Sequence, residues 1–246
     1  MHKIIGKTLQ ERYQITREVG HGGYGTVFLA EDQQLQRQVA IKRLHQGLTQ
    51  ARFRREALAM ASLKHPHIIE IYDVFQEGDS LYQVMEYAEA GSLEALLSQT
   101  GYRQGMPVDE AVEIGKSLAS ALKDMHQRHI IHRDLKPSNV LLGNTKDGWV
   151  IKLADFGVAH LPLNGKSLTH TGDILGTLPY LAPEQIKGSS AQPKSDVYAL
   201  GILLYRLLTN SHYLILDSDS HENRRRILEE TARPVSEIRS DVPIWL

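Results

Sequence analysis

Between the apolar anchors Ile130-Ile131 and Val140-Leu141-Leu142 runs a polar loop, His132-Arg133-Asp134-Leu135-Lys136-Pro137-Ser138-Asn139. It carries a carboxylate, an ammonium and a carboxamide at positions i, i+2 and i+5. These groups are suited to accept a hydroxyl proton, neutralise a transferring phosphate and ligate a hard cation, respectively. Farther on, Ile151-Lys152-Leu153-Ala154-Asp155-Phe156-Gly157 reads as a strand that ends on a second carboxylate, with a glycine that lets the chain turn away. Two oxygen ligands, Asn139 and Asp155, suit magnesium, which keeps waters and takes its remaining ligands from ATP phosphates.

Three features upstream bear on phosphate. Gly20-His21-Gly22-Gly23-Tyr24-Gly25 has a spacing that admits phosphates close to the backbone, and it also fits a plain flexible hairpin. A dinucleotide-binding fold needs a helix after such glycines, whereas Thr26-Val27-Phe28-Leu29-Ala30 is strand-like. In Val39-Ala40-Ile41-Lys42, strand alternation puts Ala40 and Lys42 on one side, where a small residue can lie against a purine and the ammonium can reach phosphate; a solvated lysine at a strand end is the plainer reading. Glu56 falls on the apolar face of a helix predicted over 51–63, where a carboxylate either pairs, with Lys42 as the candidate, or reaches water at the edge of the stripe.

The elements that must position these groups change character along the chain. From Tyr13 to Leu44, apolar alternations (Ile15 and Val19, Val27 and Leu29, Val39 and Ile41) separated by turns predict antiparallel strands. After the 51–63 helix come two strand-like runs, Ile68 to Phe75 and Leu81 to Tyr87. Beyond Ala90-Gly91-Ser92 the pattern turns helical, with Val108, Ala111, Val112, Gly115, Leu118, Ala119, Leu122 and Met125 on one face. Val197 to Leu208 is apolar almost all round, which predicts a helix packed on every side. It is too short for a membrane span, carries Arg206 and follows Asp196. The cleft is expected between the two regions, near Glu86 to Ala90.

Composition narrows the classes further. Lys and Arg total 28 against 29 Asp and Glu, a formal charge of −1, so no overall field favours nucleic acid or an anionic membrane. The absence of cysteine excludes disulfides and thiolate metal sites, and the twelve His show no metal-type spacing. Met1 to Gly6 is too short and polar for a signal peptide, so a cytoplasmic protein without a membrane segment is expected.

In order and spacing these pieces resemble the protein kinase superfamily, and Tyr13 to Leu44 with Thr169 to Glu184 look most like its bacterial, eukaryotic-like (Hanks-type) branch. The resemblance implies an α+β, two-lobed fold: an N-lobe over 13–88 of antiparallel sheet plus one helix, and a mainly helical C-lobe over 89–246. It implies that ATP lies beneath Val19, Gly20, Gly22, Gly23 and Gly25, and that Lys42 holds the α- and β-phosphates while pairing with Glu56. Asp134 would be the catalytic base, Lys136 would contact the γ-phosphate, and Asn139 and Asp155 would bind Mg2+. Met85 would be the gatekeeper before a hinge of Glu86 to Ala88 that binds adenine, with Leu141 opposite Val27 and Ala40 across the purine.

Asp134 to Asn139, together with Gly176-Thr177-Leu178-Pro179-Tyr180-Leu181-Ala182-Pro183-Glu184, is similar to serine/threonine kinases. Thr177 would contact Asp134 and Lys136, and Asp196 would brace the catalytic loop. Protein substrates with Ser or Thr are therefore implied, with autophosphorylation at Thr169 or Thr171 countered by Arg133, and with self-association as its route. Relatives continue through further helices and set a late arginine against the glutamate equivalent to Glu184; here the C-lobe reads as incomplete, with Arg206 or one of Arg224 to Arg226 as the substitute. Two other readings stand beside the kinase: a truncated or pseudokinase-like nucleotide-binding scaffold, and a small-molecule phosphotransferase, which gives no reason for Gly176 to Glu184.

Overall fold

Residues 13–44 alternate as strands because every second side chain has a core to enter. In a computed structural model that describes residues 4–22, 25–44, 61–146, 148–155, 177–214 and 220–244, they form β2 (Tyr13–Gly22), β3 (Gly25–Asp32) and β4 (Arg37–Leu44). With β1 (Thr8–Leu9), β5 (Ile71–Glu77) and β6 (Ser80–Glu86) they build an antiparallel sheet ordered β1-β2-β3-β4-β6-β5. Val39 and Ile41 face a core of Tyr13, Ile15, Phe28, Ala30, Tyr82 and Val84, while Ala40 faces the opposite side and clusters with Met85 and Ala154. The pairs Leu29 with Ala40 and Ala40 with Met85 fix that register.

The period fails at one point. Ile15 and Val19 should share a face, yet Ile15 is buried and Val19 is exposed. Two register irregularities, between Ile15 and Arg17 and between Glu18 and Gly20, lie between them, and each extra residue re-aims the side chains that follow. The helix predicted over 51–63 lies outside the described residues except for its last three positions, of which Leu63 is buried in the core.

The second region contains α1 (Leu93–Leu97), α2 (Val108–Gln127), the hairpin β7 (Val140–Thr145) and β8 (Gly148–Leu153), α3 (Pro183–Ile186), α4 (Pro193–Thr209) and α5 (Ser220–Glu229). The buried face of α2 is Ala111, Ile114, Gly115, Leu118, Ala121, Leu122 and Met125. Ala119 points outward instead of joining the stripe, because at 100° per residue it stands a quarter turn from Leu118 while Ala121 and Leu122 come back into line.

The expectation that α4 is packed on every side is corrected. Ala199, Leu203, Leu207 and Leu208 are buried, but among the described residues nothing covers Val197, which is 59 % exposed, or Gly201. Only one side of α4 meets α2, so its apolar composition exceeds what its neighbours bury. At that crossing an added Cβ on Gly115 would stand 2.8 Å from Leu204 Cδ2, closer than real Cβ contacts come. Gly115→Val is therefore expected to destabilise the fold by about 1–3 kcal/mol, the usual cost of overpacking. A thermal melt unchanged by the substitution would show that the helices part without cost.

Candidate active site

The polar loop at 132–139 is fixed by a carboxylate from another element. Asp196, in the first turn of α4 and 1 % exposed, accepts hydrogen bonds from the amide of His132 to Oδ2 and of Arg133 to Oδ1, both at 2.9 Å, and from His126 Nε2 at 2.7 Å. Arg133 sits at φ 72°, a left-handed conformation that costs a non-glycine residue on the order of 1 kcal/mol, so a fixed anchor on its amide holds the loop in a shape it would otherwise leave. His132 is fully buried; its Nε2 lies 3.0 Å from the carbonyl of Ala154, and its Nδ1 accepts from the amide of Asp134. This pattern requires a neutral ring with its proton on Nε2, and burial holds the ring's pKa below the ordinary histidine value despite the nearby carboxylates.

On this frame the polar groups converge. Asp134 Oδ2 stands 3.0 Å from Lys136 Nζ and accepts from Asn139 Nδ2 at 3.0 Å, while Oδ1 is buried and has no partner among the described residues. Lys136 Nζ donates to Thr177 Oγ1 at 2.6 Å; among the described residues the Thr177 hydroxyl makes no hydrogen bond to Asp134. Asn139 also donates to the backbone carbonyl of Asp134 at 2.7 Å, so its NH2 is committed and only its oxygen is available to a cation. The amide of Ala154 donates to the carbonyl of Asn139 at 2.8 Å, which brings Asp155 alongside.

Asp155, itself at φ 60°, receives Lys42 Nζ on Oδ1 at 2.7 Å. Desolvation pushes its carboxyl up, but the Lys42 ammonium, supported by Lys136, outweighs this and holds it below the usual carboxylate range. Glu56, the expected partner of Lys42, lies outside the described residues, as do Gly23, Phe156, Gly157, Thr169, Thr171 and Gly176.

The apolar side of the cleft gathers Val27, Ala40, Met85, Ala88 and Leu141 with Ile69, Tyr87 and Ala154. Among the described residues no backbone hydrogen bond occupies the amide or the carbonyl of Ala88, leaving a donor and an acceptor beside this cluster. The glycines divide in role. A Cβ on Gly25 would meet the carbonyl oxygen of Arg43 at 2.3 Å, so Gly25 is required by strand packing, whereas Gly22 has open space and Gly20 meets only Val27 Cβ at 3.8 Å. Val19 is 36 % exposed at the same edge.

Besides the Lys42–Asp155 pair, two further contacts were not foreseen. Lys152 Nζ pairs with Glu86 at 2.9 Å, joining β8 to the end of β6, and His126 reaches Asp196 across 70 residues. A histidine in the last turn of a helix that feeds the polar loop was the available sequence signal. The substitute partner expected for Glu184 is also corrected. Glu184 Oε1 accepts from Ser195 Oγ at 2.7 Å, which with its own backbone amide holds the carboxyl below its usual range. Arg206 approaches Glu94 and the carbonyl of Asn210, and Arg225 and Arg226 pair with glutamates of α5 and with Glu230 just beyond it. Within α5, helix geometry commits Arg225 and Arg226 to near neighbours.

A two-region architecture with this loop, this Lys–Asp pair and this apolar cluster points to the protein kinase class. The sequence matches the protein kinase domain over residues 13–245, and the chain belongs to that family. It is similar to the serine/threonine-protein kinase PrkC of Bacillus subtilis, 44% identical over 211 residues that cover 84% of this chain and 32% of that protein. It is likewise similar to the probable serine/threonine-protein kinase PknB of Lactococcus lactis, 42% identical over 222 residues (88% and 34%), and to PknB of Mycobacterium leprae, 37% identical over 235 residues (92% and 37%). The chain thus spans about a third of the length of these curated relatives. Among the described residues no helix is long and apolar enough to cross a membrane.

The neutral His132 makes stability depend on pH. Because its folded pKa is depressed, the unfolded chain binds the extra proton first, so this contribution is complete above about pH 6.5 and declines as pH falls below that, by at most about 1.4 kcal/mol per pH unit. The unfolding free-energy gap between the natural chain and His132→Gln should therefore narrow from pH 6.5 to 5 in urea titrations. A gap independent of pH would show that the ring is not buried neutral.

Proposed function

We propose that this chain is a protein serine/threonine kinase that transfers the γ-phosphate of ATP, with Mg2+, to Ser or Thr hydroxyls of proteins, and that residues 13–88 and 89–246 act as its two lobes. The observation that carries the reading is the free, buried Oδ1 of Asp134. The carboxylate's other oxygen is held by Lys136 and Asn139, so among the described residues one acceptor is left unspent, which is what removal of a hydroxyl proton requires.

The remaining groups follow from their chemistry. The Lys136 ammonium, placed by Thr177, is positioned to neutralise charge on the transferring phosphoryl group. Lys42, which meets Asp155, holds the α- and β-phosphates and pairs with Glu56, and Gly20, Gly22 and Gly23 admit the phosphates beneath the β2–β3 hairpin while Gly25 lets it form. Val19, Val27, Ala40 and Leu141 enclose the purine, and the backbone from Glu86 to Ala88 reads its edge.

The donor set fits magnesium: two oxygens, from Asn139 and Asp155, with no cluster of three or more His, Cys, Asp or Glu among the described residues. Bound there, the ion supplies charge neutralisation between the phosphates. The names of the relatives support Ser and Thr as acceptors. Autophosphorylation at Thr169 or Thr171, through self-association and in the cytoplasm, belongs to the same reading.

Transfer of labelled γ-phosphate from Mg-ATP to the chain itself and to a generic protein substrate is the direct test. Asp134→Asn should lower the rate by about 10²–10⁴-fold, the range for loss of a general base, with ATP binding retained. Binding without transfer in the natural chain would instead favour a nucleotide-binding scaffold.

A further inference from the structure

Beside the Thr177 platform, where α4 ends, lie two donors that nothing in the reaction uses. Among the described residues the hydroxyl of Tyr180, a residue only 4 % exposed, has no hydrogen-bond partner, and neither has the buried Nε of Arg206. The two belong to one cluster. The charges of Arg206 and Glu94 both act on the Tyr180 hydroxyl, the Tyr180 ring meets His212 edge-on at 6.2 Å, and Arg206 Nη1 donates to the carbonyl of Asn210. Asn210 Oδ1 is a third orphan, but it is an acceptor and takes no part in holding an anion.

Leaving buried donors unmade is costly, and the group that satisfies both together is one that only accepts. Burial first, and Glu94 second, raise the Tyr180 hydroxyl above the ordinary phenol range, so it remains a donor at neutral pH. The guanidinium is poorly compensated: its nearest carboxylate, Glu94 Oε1, stands at 4.0 Å from Nη2, on a side chain 46 % exposed and therefore hydrated and screened. Arg206 itself is 18 % exposed, so the cluster opens to solvent on the Glu94 side.

The position relative to the chemistry is set by the chain. Thr177 touches Lys136, Lys136 touches Asp134, and Tyr180 closes the short 3-10 turn Leu178–Tyr180 that follows. At about 2 Å rise per residue the turn places Tyr180 roughly 6 Å along from Thr177, with the side chain reaching about as far again; an extended peptide covers this at about 3.3 Å per residue.

We propose that Tyr180 and Arg206 form an acid-selecting subsite, which takes an anionic side chain of the protein substrate roughly two to four residues from the accepting hydroxyl. This rests on the kinase reading above and names the substrate class that reading leaves open. Arg206 supplies charge and one N–H, Tyr180 supplies the second donor, and Glu94 tempers the site by competing for the guanidinium.

The test is a Ser peptide panel with Ala, Asp or phosphoserine scanned through the four positions on either side of the acceptor, read both as kcat/KM for transfer and as binding by fluorescence anisotropy. The natural chain should favour the anion by about tenfold or more at one such position. Tyr180→Phe and Arg206→Gln should shrink that ratio, Arg206→Glu should turn it toward a Lys peptide, and Glu94→Gln should enlarge it. Ratios within each variant remove any general loss of activity. Transfer to all peptides with no position-dependent preference would overturn the subsite and leave the kinase standing. Anion-selective binding without transfer would keep the subsite and remove the kinase, and absence of selectivity in both readouts would overturn the subsite whatever the activity. If Asp and phosphoserine both gain, the site reads charge; if only one gains, it reads shape, and the subsite stands for that anion.

Discussion

The constraint on which the site depends is the burial of one carboxylate. Asp196 is almost wholly shut away from water, and a charge in that position persists only when its acceptor capacity is filled. Two backbone amides and one imidazole fill it, and all three belong to the segment that ends α2 and begins the polar loop. The demand of the buried charge thus becomes the positioning of the loop. Arg133 is held left-handed, His132 is turned inward to the carbonyl of Ala154, and Asp134 emerges with one oxygen committed and one free.

From there the order passes outward through backbone contacts. The Ala154 amide on Asn139, the Leu153 amide on the His67 carbonyl, and the Ile69 amide on the Leu153 carbonyl run from the loop through β8 to the segment before β5. Lys152 and Glu86 add an ion pair along the same seam, and the amide of Ala90 donates to the carbonyl of Leu142 just beyond it. The sheet and the helical region are therefore joined through strand backbone, which is indifferent to side-chain identity, while Lys42 and Asp155 meet across the cleft. Asp134, Asn139, Asp155 and Lys42 converge because each sits beside one of these fixed contacts.

Much of this was legible in the sequence because it is local. Val39, Ala40, Ile41 and Lys42 sort to two faces by alternation alone, and the 134–139 spacing is a property of one short loop. Val19 escaped because a bulge leaves no mark in a hydrophobic pattern, and Ala119 because an alanine is as ready to face water as core. The exposed side of α4 was misread for a related reason: composition states what a helix can bury, and its neighbours decide what it does bury. Contacts such as His126 with Asp196, Lys152 with Glu86 and Ser195 with Glu184 join residues that are individually unremarkable, and only the folded chain brings them within 3 Å. The partner of Glu184 was sought among cations, whereas a hydroxyl two helical positions from the N-terminus of α4 satisfies the same lone pair.

The seam between residues 67–70 and 151–153 also acts as the spine of a book. A rotation of the sheet against the helical region that kept these backbone bonds would turn about this edge. In the sheet order, β2 lies three strands beyond β6, roughly 14 Å at the usual inter-strand spacing. A few degrees of turning at the spine would leave Met85 and Ala88, close to it, nearly still and would sweep the Gly20–Gly22 edge through the longest arc.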